Sequence, residues 1–328
     1  MKLYLDSKFK IEMVNKAPIL AIVVPCFNEE AVLTRTISEL IKVLGSLTKQ
    51  QTISKESYIL LVDDGSRDKT WATIKKAKTA NPAIKGMKLA RNFGHQQALV
   101  AGLSYSKCSS DISVTLDADL QDDPKIIGKF VEAFKAGNHV VYGVRKERRQ
   151  DSFFKRCSAQ FFYRLMKTLG VEIVYNHADY RLMSSVAIGN LEQFSEVNLF
   201  LRGIVPLIGL QSTIVYYDRT KRLDGSSKYT LHKMISFAWD AITSFSIKPL
   251  RIITIVGFLI FIFSLAAGVW VLVELMKGNA IHGWASTVLP IYFIGGIQIL
   301  SIGVIGEYLG KIYKEVKKRP RYIIEEEI

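Results

Sequence analysis

The 328-residue sequence predicts an α/β fold with a mostly parallel sheet, followed by interfacial helices and two apolar helices long enough to cross a bilayer. Three observations carry that expectation. From about Leu20 to Tyr217, short β-branched runs alternate with amphipathic helical stretches, the pattern of a sheet covered by helices. Residues 252–273 and 283–306 then hold no charged side chain. Finally, unusual polar residues gather just after the strand runs, where open α/β sheets bind ligands.

The predicted strands are Ile19–Val24, Tyr58–Val62, Ile112–Leu116 and Val140–Tyr142. After the first comes Pro25-Cys26-Phe27-Asn28-Glu29-Glu30, and after the second Asp63-Asp64-Gly65-Ser66. Asp117 to Gln121 follow the third, and Gly143-Val144-Arg145 the fourth. Any one cluster would serve as a helix cap, since Asn28, Ser66 and Asp68 are good capping residues; four on one edge suggest a crevice. In an extended segment Asp117 and Asp119 point the same way, and Gln121 joins them if the extension persists. Two hard oxygen ligands at a strand end suit Mg²⁺ or Mn²⁺ while leaving coordination sites for a substrate diphosphate. Taken alone, the pair is also what an ordinary acidic turn presents. No Gly-x-Gly-x-x-Gly and no Walker lysine motif is present, which argues against a dinucleotide-binding or phosphate-loop enzyme.

As a helix, residues 252–273 would span about 33 Å, against roughly 30 Å for a bilayer core. Trp270, Trp284 and Tyr292 fall near the expected interfaces. The first fifteen residues do not read as a signal peptide, so the N-terminal domain is expected to stay on the side where it was made. Lys248 and Arg251 precede the first apolar run, and Lys311, Lys314, Lys317, Lys318, Arg319 and Arg321 follow the second; the intervening loop has Lys277 alone. Both outer ends are therefore expected to be cytoplasmic. The net charge of +14 is concentrated enough beside these runs to imply anionic lipid headgroups rather than nucleic acid. Cys26, Cys108 and Cys157 lack metal-site spacing and fit reduced thiols. Two further stretches read as amphipathic helices that lie on the bilayer or are buried against the catalytic domain or another subunit. One carries Leu231, Met234, Ile235, Ala238, Ile242 and Phe245 within Tyr229–Lys248; the other carries Phe153, Phe154, Cys157, Phe161, Phe162 and Leu165 among Lys155, Arg156, Arg164 and Lys167.

The motifs resemble the inverting glycosyltransferases of family 2 with the GT-A fold, within them the polyprenyl-phosphate enzymes such as bactoprenol glucosyltransferases and dolichol-phosphate mannose synthases. The resemblance covers nearly the whole chain. It rests on Val23 to Glu29, Val62 to Thr70, Arg91-Asn92-Phe93-Gly94-His95, Asp117 to Gln121, Ala178-Asp179-Tyr180-Arg181-Leu182, Arg202-Gly203 and Arg222 to Tyr229. Many relatives have Gly-Asp-Phe-Arg where this chain has Ala178 to Arg181. The Gln-x-x-Arg-Trp motif of processive synthases is absent, which implies one sugar per event.

By resemblance, Pro25, Asn28, Glu29 and Asp64, with Asp117, would hold the uridine end of a UDP-sugar. Asp117, Asp119 and Gln121 would bind the cation. Asp119, Asp179 and Arg145 would be catalytic, with Asp179 either contacting sugar hydroxyls or assisting as a base, and Arg181 its structural partner. A lipid monophosphate has a second pKa near 6 and is mostly dianionic at pH 7, so its oxygen is already a competent nucleophile. What that acceptor needs is cations, which Arg145, Lys146, Arg148, Arg149, Lys155 and Arg156 supply; Arg202 joins this acceptor set. Arg222 and Lys228 would belong to a lid.

The expected organisation is a catalytic domain at 1–228, a juxtamembrane helix at 229–250, two spans with a short external loop at 251–310, and a cytoplasmic tail at 311–328. The expected reaction moves a single sugar, glucose or an N-acetylhexosamine, from a UDP-sugar to undecaprenyl phosphate. It would occur at the cytoplasmic face of a bacterial inner membrane, in a homo-oligomer, since the family includes tetramers. Alternatives are another donor, such as GDP-mannose or a modified aminosugar, and, from a different class, a membrane-anchored nucleotide-sugar sensor.

Overall fold

The computed structural model describes residues 16–145, 177–196, 201–218, 248–277 and 284–328. The chain separates into two compact units: one holds every described strand and includes Pro320–Ile328, the other holds the two long helices.

In the first unit the elements run β1 (Leu20–Cys26), α1 (Glu30–Lys49), β2 (Tyr58–Asp63), α2 (Thr70–Ala80), β3 (Ile84–Leu89), α3 (His95–Lys107) and β4 (Ile112–Thr115). After a short 3₁₀ turn at Pro124–Ile126 come α4 (Ile127–Lys135), β5 (Val140–Arg145), β6 (His177–Ser184), α5 (Ser185–Glu192), α6 (Leu201–Leu207) and β7 (Ser212–Tyr217). All four predicted strands are present. β1 and β2 are buried on both faces, as central parallel strands between helical layers must be. Leu20, Ile22 and Val24 of β1 and Ile59 and Leu61 of β2 pack with Leu33, Ile37, Leu40 and Leu44 of α1. Those α1 positions recur at the three-to-four spacing that puts them on one helical stripe. On the opposite face, Ala21, Val23, Leu60 and Val62 meet Ala98 and Ala101 of α3.

Among the described residues the sheet has eight strands in the order β7-β5-β6-β4-β1-β2-β3-β8, where β8 is Ile324–Glu327. β1 pairs in parallel with β2 and β4, β2 with β3, and β5 with β7. β6 runs antiparallel to both β4 and β5. The C-terminal ends of β1, β2, β4 and β5 therefore lie along one edge, in the sheet order β5, β4, β1, β2.

β8 is Ile324–Glu327, antiparallel to β3 at the sheet's edge. Within the stretch read from charge as a tail, these four residues close the open side of β3. Gly86 makes room for the chain end: a Cβ there would lie 2.8 Å from Ile328 Cγ1 and 2.7 Å from Ile74 Cγ2. Trp71 Nε1 donates to Glu326 at 3.0 Å, and Lys88 pairs with Glu325 at 2.8 Å.

The second unit contains α7 (Lys248–Met276) and α8 (Trp284–Val316). Among the described residues one helix, rather than the two expected, is long and apolar enough to cross a membrane: Phe293–Val316 within α8. α7 contributes the shorter apolar stretch Leu250–Ile260. Phe258, Leu259, Phe263 and Trp270 of α7 and Phe293, Ile299 and Ile302 of α8 are exposed. The two predicted interfacial helices lie outside the described residues.

Candidate active site

The loops after β1 and β2 are built against each other. Asp64 N donates to Cys26 O at 2.8 Å. Asn28 has a left-handed backbone (φ 54°), which asparagine tolerates better than most residues. Its N–H bonds Ser66 Oγ at 2.9 Å, and its Oδ1 accepts from Arg67 N at 2.9 Å. Thr70 Oγ1 accepts from Glu29 N, Asp68 Oδ2 from Glu30 N, and Glu30 Oε2 from Lys69 N. Each loop thus satisfies the exposed donors at the start of the other's helix.

Asp64 holds a third segment. Its two oxygens accept from Phe93 N at 2.7 Å and Gly94 N at 2.9 Å. Burial pushes its pKa above the ordinary carboxylate value, against the pull of those two bonds. Gly65 (φ +67°) sits against the same segment, where a Cβ would lie 2.4 Å from the Arg91 carbonyl carbon. The result is a cavity of about 370 Å³ lined by Phe27, Asn28, Gly65, Arg67, Arg91 and Asn92, among others. The Arg91 guanidinium stacks 4.1 Å from the Phe93 ring centroid. Of the residues expected around a nucleotide, Asn28 lines this cavity and Asp64 fixes its wall. Pro25 is inside β1 opposite Val62, and Glu29 precedes α1 without capping it through its side chain.

β4 ends at Thr115, two residues before Asp117, and Leu120 takes a left-handed turn (φ 51°). The condition for Gln121 to join the two aspartates, an extension persisting that far, is therefore not met, and a turn, not a pleat, sets the positions of Asp117, Asp119 and Gln121. Thr36 Oγ1 on α1 anchors the loop by donating to Ala118 O at 2.6 Å. Gln121 N donates to Asp119 Oδ1 at 3.1 Å, and Gln121 is buried. His95 Nε2, at the start of α3, lies 3.5 Å from Asp117 Oδ1 and 4.0 Å from Asp179 Oδ2. Loss of hydration, chiefly, pushes Asp117 up to about 6; His95 opposes this, and Asp179, Asp122 and Asp119 reinforce it. A loop with this surplus of carboxylate oxygen is chemically suited to a hard divalent cation. Among the described residues, no three His, Cys, Asp or Glu side chains gather into a preformed metal cage.

Asp179 on β6 is clamped by two arginines. Arg181 Nη2 donates to Oδ1 at 2.7 Å, while Arg202 reaches Oδ1 through Nε at 3.2 Å and Oδ2 through Nη2 at 3.0 Å. Burial raises its pKa, but Arg202 and Arg181 outweigh it and hold the carboxyl well below the usual range. A carboxylate so stabilised as an anion is a weak proton acceptor, which favours an anchoring role over that of a base. Arg202, expected with the acceptor cations, is engaged by Asp179.

Arg145 ends β5, in register with Tyr217 on β7. Its Nη2 lies 3.2 Å from Asp122 Oδ1, and its Nε donates to the Tyr217 hydroxyl at 3.3 Å. Lys146, Arg148, Arg149, Lys155, Arg156, Arg222 and Lys228 lie outside the described residues. Phe27, Arg67, His95, Asp122 and Tyr217 also stand in the site without being among the residues expected from the sequence. Asp122 adjoins the Asp117 to Gln121 motif, and Phe27, Arg67 and His95 stand within motifs that carry the resemblance; Tyr217 has no signal of its own in the sequence.

The glycosyl transferase family 2 model matches residues 21–191, and the GtrB C-terminal hairpin model matches residues 248–312. An uncharacterised glycosyltransferase of Bacillus subtilis (strain 168) is 49% identical over 313 residues, covering 95% of this chain and 93% of its own. The bactoprenol glucosyl transferase of Shigella phage SfII is 37% identical over 310 residues, covering 93% and 97%. Among solved structures, glucosyl-3-phosphoglycerate synthase from Mycobacterium tuberculosis, crystallised with Mn²⁺, UDP and glucosyl-3-phosphoglycerate, is similar with a TM-score of 0.41 and 14% identity, over 73% of this chain and 81% of that one. The chain belongs to glycosyl transferase family 2, with its GT-A α/β fold, and is a glycosyltransferase.

Proposed function

We propose that the protein transfers one sugar from a UDP-sugar to a polyprenyl phosphate, with inversion and with a divalent cation, at the cytoplasmic face of a bacterial membrane. The observation that carries this reading is the order of groups along the sheet edge. The cavity formed after β1 and β2 suits a nucleoside, the anion-rich loop after β4 suits a diphosphate-bound cation, and Arg145 after β5 suits an acceptor phosphate. The bactoprenol relatives, similar along nearly their whole length, support the lipid acceptor.

In this reading a phosphate oxygen of the acceptor attacks the anomeric carbon, and the bond from that carbon to the UDP oxygen breaks. The dianionic acceptor needs no strong base, in keeping with the arginine-clamped Asp179. Asp179 then offers its remaining lone pairs to sugar hydroxyls while Arg202 and Arg181 fix its orientation. Asp117, Asp119 and Gln121 would hold Mg²⁺ or Mn²⁺, which would supply charge stabilisation to the leaving diphosphate. Arg222 to Tyr229 would close over the donor and exclude water.

α7 and α8 form the membrane hairpin in this proposal, supported by their exposed apolar side chains and by the hairpin family match. Lys311, Lys314, Lys317, Lys318 and Arg319 then face anionic headgroups on the cytoplasmic side; Arg321, grouped with them by charge, instead donates to Phe194 O within the first unit. The domain limits at 228, 250 and 310 and a homo-oligomeric assembly belong to the same proposal. To test it, membranes containing the protein are incubated with polyprenyl phosphate and a panel of radiolabelled donors: UDP-glucose, UDP-N-acetylhexosamines and GDP-mannose. A UDP-sugar is expected to give organic-extractable label. Label from GDP-mannose alone would refute the donor assignment, and nucleotide-sugar binding without transfer would leave a sensor.

A further inference from the structure

The loop that holds Asp117 and Asp119 continues into a carboxylate for which the reaction above has no use. Asp122 is 2% exposed. Burying an ionised carboxylate costs several kcal/mol unless cations and donors surround it, so its surroundings are informative. The Tyr217 hydroxyl donates to Asp122 Oδ1 at 2.7 Å. Arg145 Nη2 lies 3.2 Å from Oδ1 and 3.5 Å from Oδ2, and Arg145 Nε closes the triangle on the Tyr217 hydroxyl at 3.3 Å.

Each corner is fixed by a different part of the fold. Arg145 and Tyr217 are register partners at the ends of β5 and β7. Asp122 comes from the loop beyond β4, which β6 separates from β5 in the sheet. Tyr180 of β6 braces the arrangement: its hydroxyl donates to Asp123 O at 3.0 Å, and its ring meets that of Tyr217 edge-on at 5.5 Å between centroids. An arginine has five N–H donors in a rigid fork. Anchoring Nε and one edge of Nη2 leaves the rest of the fork set in one orientation before any ligand arrives, and groups ordered in advance lower the cost of binding. The Arg145 side chain remains about one quarter exposed, at 24%, so the fork is not sealed.

We propose that Asp122, with Tyr217, is a positioning residue that presets the Arg145 guanidinium to receive the acceptor's phosphate monoester. The inference rests on the reading of Arg145 as the acceptor cation. Because Asp122 is peptide-bonded to Gln121, it also makes the donor loop and the acceptor arginine one connected piece.

The test is steady-state kinetics of the full-length protein in detergent, varying undecaprenyl phosphate and the UDP-sugar separately. The variants are Arg145→Ala, Asp122→Asn, Tyr217→Phe and the Asp122→Asn/Arg145→Ala double. Arg145→Ala is expected to raise the acceptor KM, Asp122→Asn to raise it about tenfold and Tyr217→Phe about threefold. Donor KM should stay within about twofold, and the double variant should be no worse than Arg145→Ala, since both changes remove one function. Tyr217→Phe loses a single oxygen and decides the matter should Asp122→Asn fail to fold. If Arg145→Ala raises the acceptor KM but Tyr217→Phe and any folded Asp122→Asn leave it unchanged, the positioning role is wrong and the acceptor reading stands. If Arg145→Ala leaves it unchanged, the acceptor reading falls and takes the inference with it. Equal rises in donor and acceptor KM, or additive losses in the double variant, would make Asp122 a structural residue only.

Discussion

Gly65→Ala separates the architecture of the nucleotide cavity from the chemistry placed in it. The added Cβ would stand 2.4 Å from Arg91 C, 2.5 Å from Asn92 N and 2.7 Å from Arg91 Cα, all backbone atoms that no rotamer change can move. Ordinary contact begins at 3.4 Å, so the segment must retreat by about 1 Å. That segment is tied to Asp64 by the bonds from Phe93 N and Gly94 N, at 2.7 and 2.9 Å. Losing one hydrogen bond to a charged group costs about 1.5–3 kcal/mol. Holding alanine at φ +67° adds about 1–2 kcal/mol. The expected total is about 2.5–5 kcal/mol, or roughly 10 °C in apparent melting temperature for a domain of this size. The same retreat displaces Arg91 and Asn92 from the cavity, so UDP affinity should fall at least about tenfold. Scanning fluorimetry and calorimetric UDP titration of detergent-solubilised protein measure both effects. Gly45→Ala is the control: it lies inside α1 with nothing within 4 Å of its Cβ, and it should be neutral or stabilising by up to about 1 kcal/mol. A Gly65→Ala protein that melts within 2 °C of wild type, on the order of the shift for 1 kcal/mol or less, and binds UDP normally would refute the account of this loop.

Three other outcomes are expected. Asp119→Asn should lower turnover at least about a hundredfold with unchanged melting, and near-normal turnover by the folded variant would remove Asp119 from the metal set. Asp179 has a folded pKa below its ordinary value, so its ion pairs stabilise the protein above about pH 4 and that contribution fades as pH falls through the folded value. The acid limb of kcat/KM should accordingly keep its midpoint in Asp179→Asn, whereas a displaced midpoint would show Asp179 titrating in the working range. Deleting residues 323–328 uncovers the β3 edge and removes the packing of Ile328 on Gly86; a loss of roughly 2–3 kcal/mol and increased self-association are expected, and an unchanged melting curve would show that β8 carries no stability.

The part of the fold legible in the sequence was the part written in local pattern. β1, β2, β4 and β5 announced themselves because buried parallel strands read as continuous β-branched runs. β8 did not, since Ile324-Glu325-Glu326-Glu327 is too short and too charged to look like a strand, and edge strands tolerate such charge. Its pairing with β3 joins residues more than two hundred positions apart, which no window along the sequence can register. The carboxylates of the site were visible as motifs, but their engagements were not. That Asp64 would spend both oxygens on Phe93 and Gly94, or that Arg202 would bind Asp179, depends on where separate loops meet. The left-handed turn at Leu120 likewise overrode the strand geometry assumed for Gln121, because leucine gives no warning of a positive φ.

Metal-assisted sugar transfer to a lipid phosphate is measured with purified protein given radiolabelled UDP-sugar with undecaprenyl phosphate, with undecaprenol, or with no acceptor, each with Mn²⁺ or with EDTA. Organic-extractable label is expected only when undecaprenyl phosphate and the cation are both present. Equal labelling of undecaprenol, or undiminished transfer in EDTA, would contradict it.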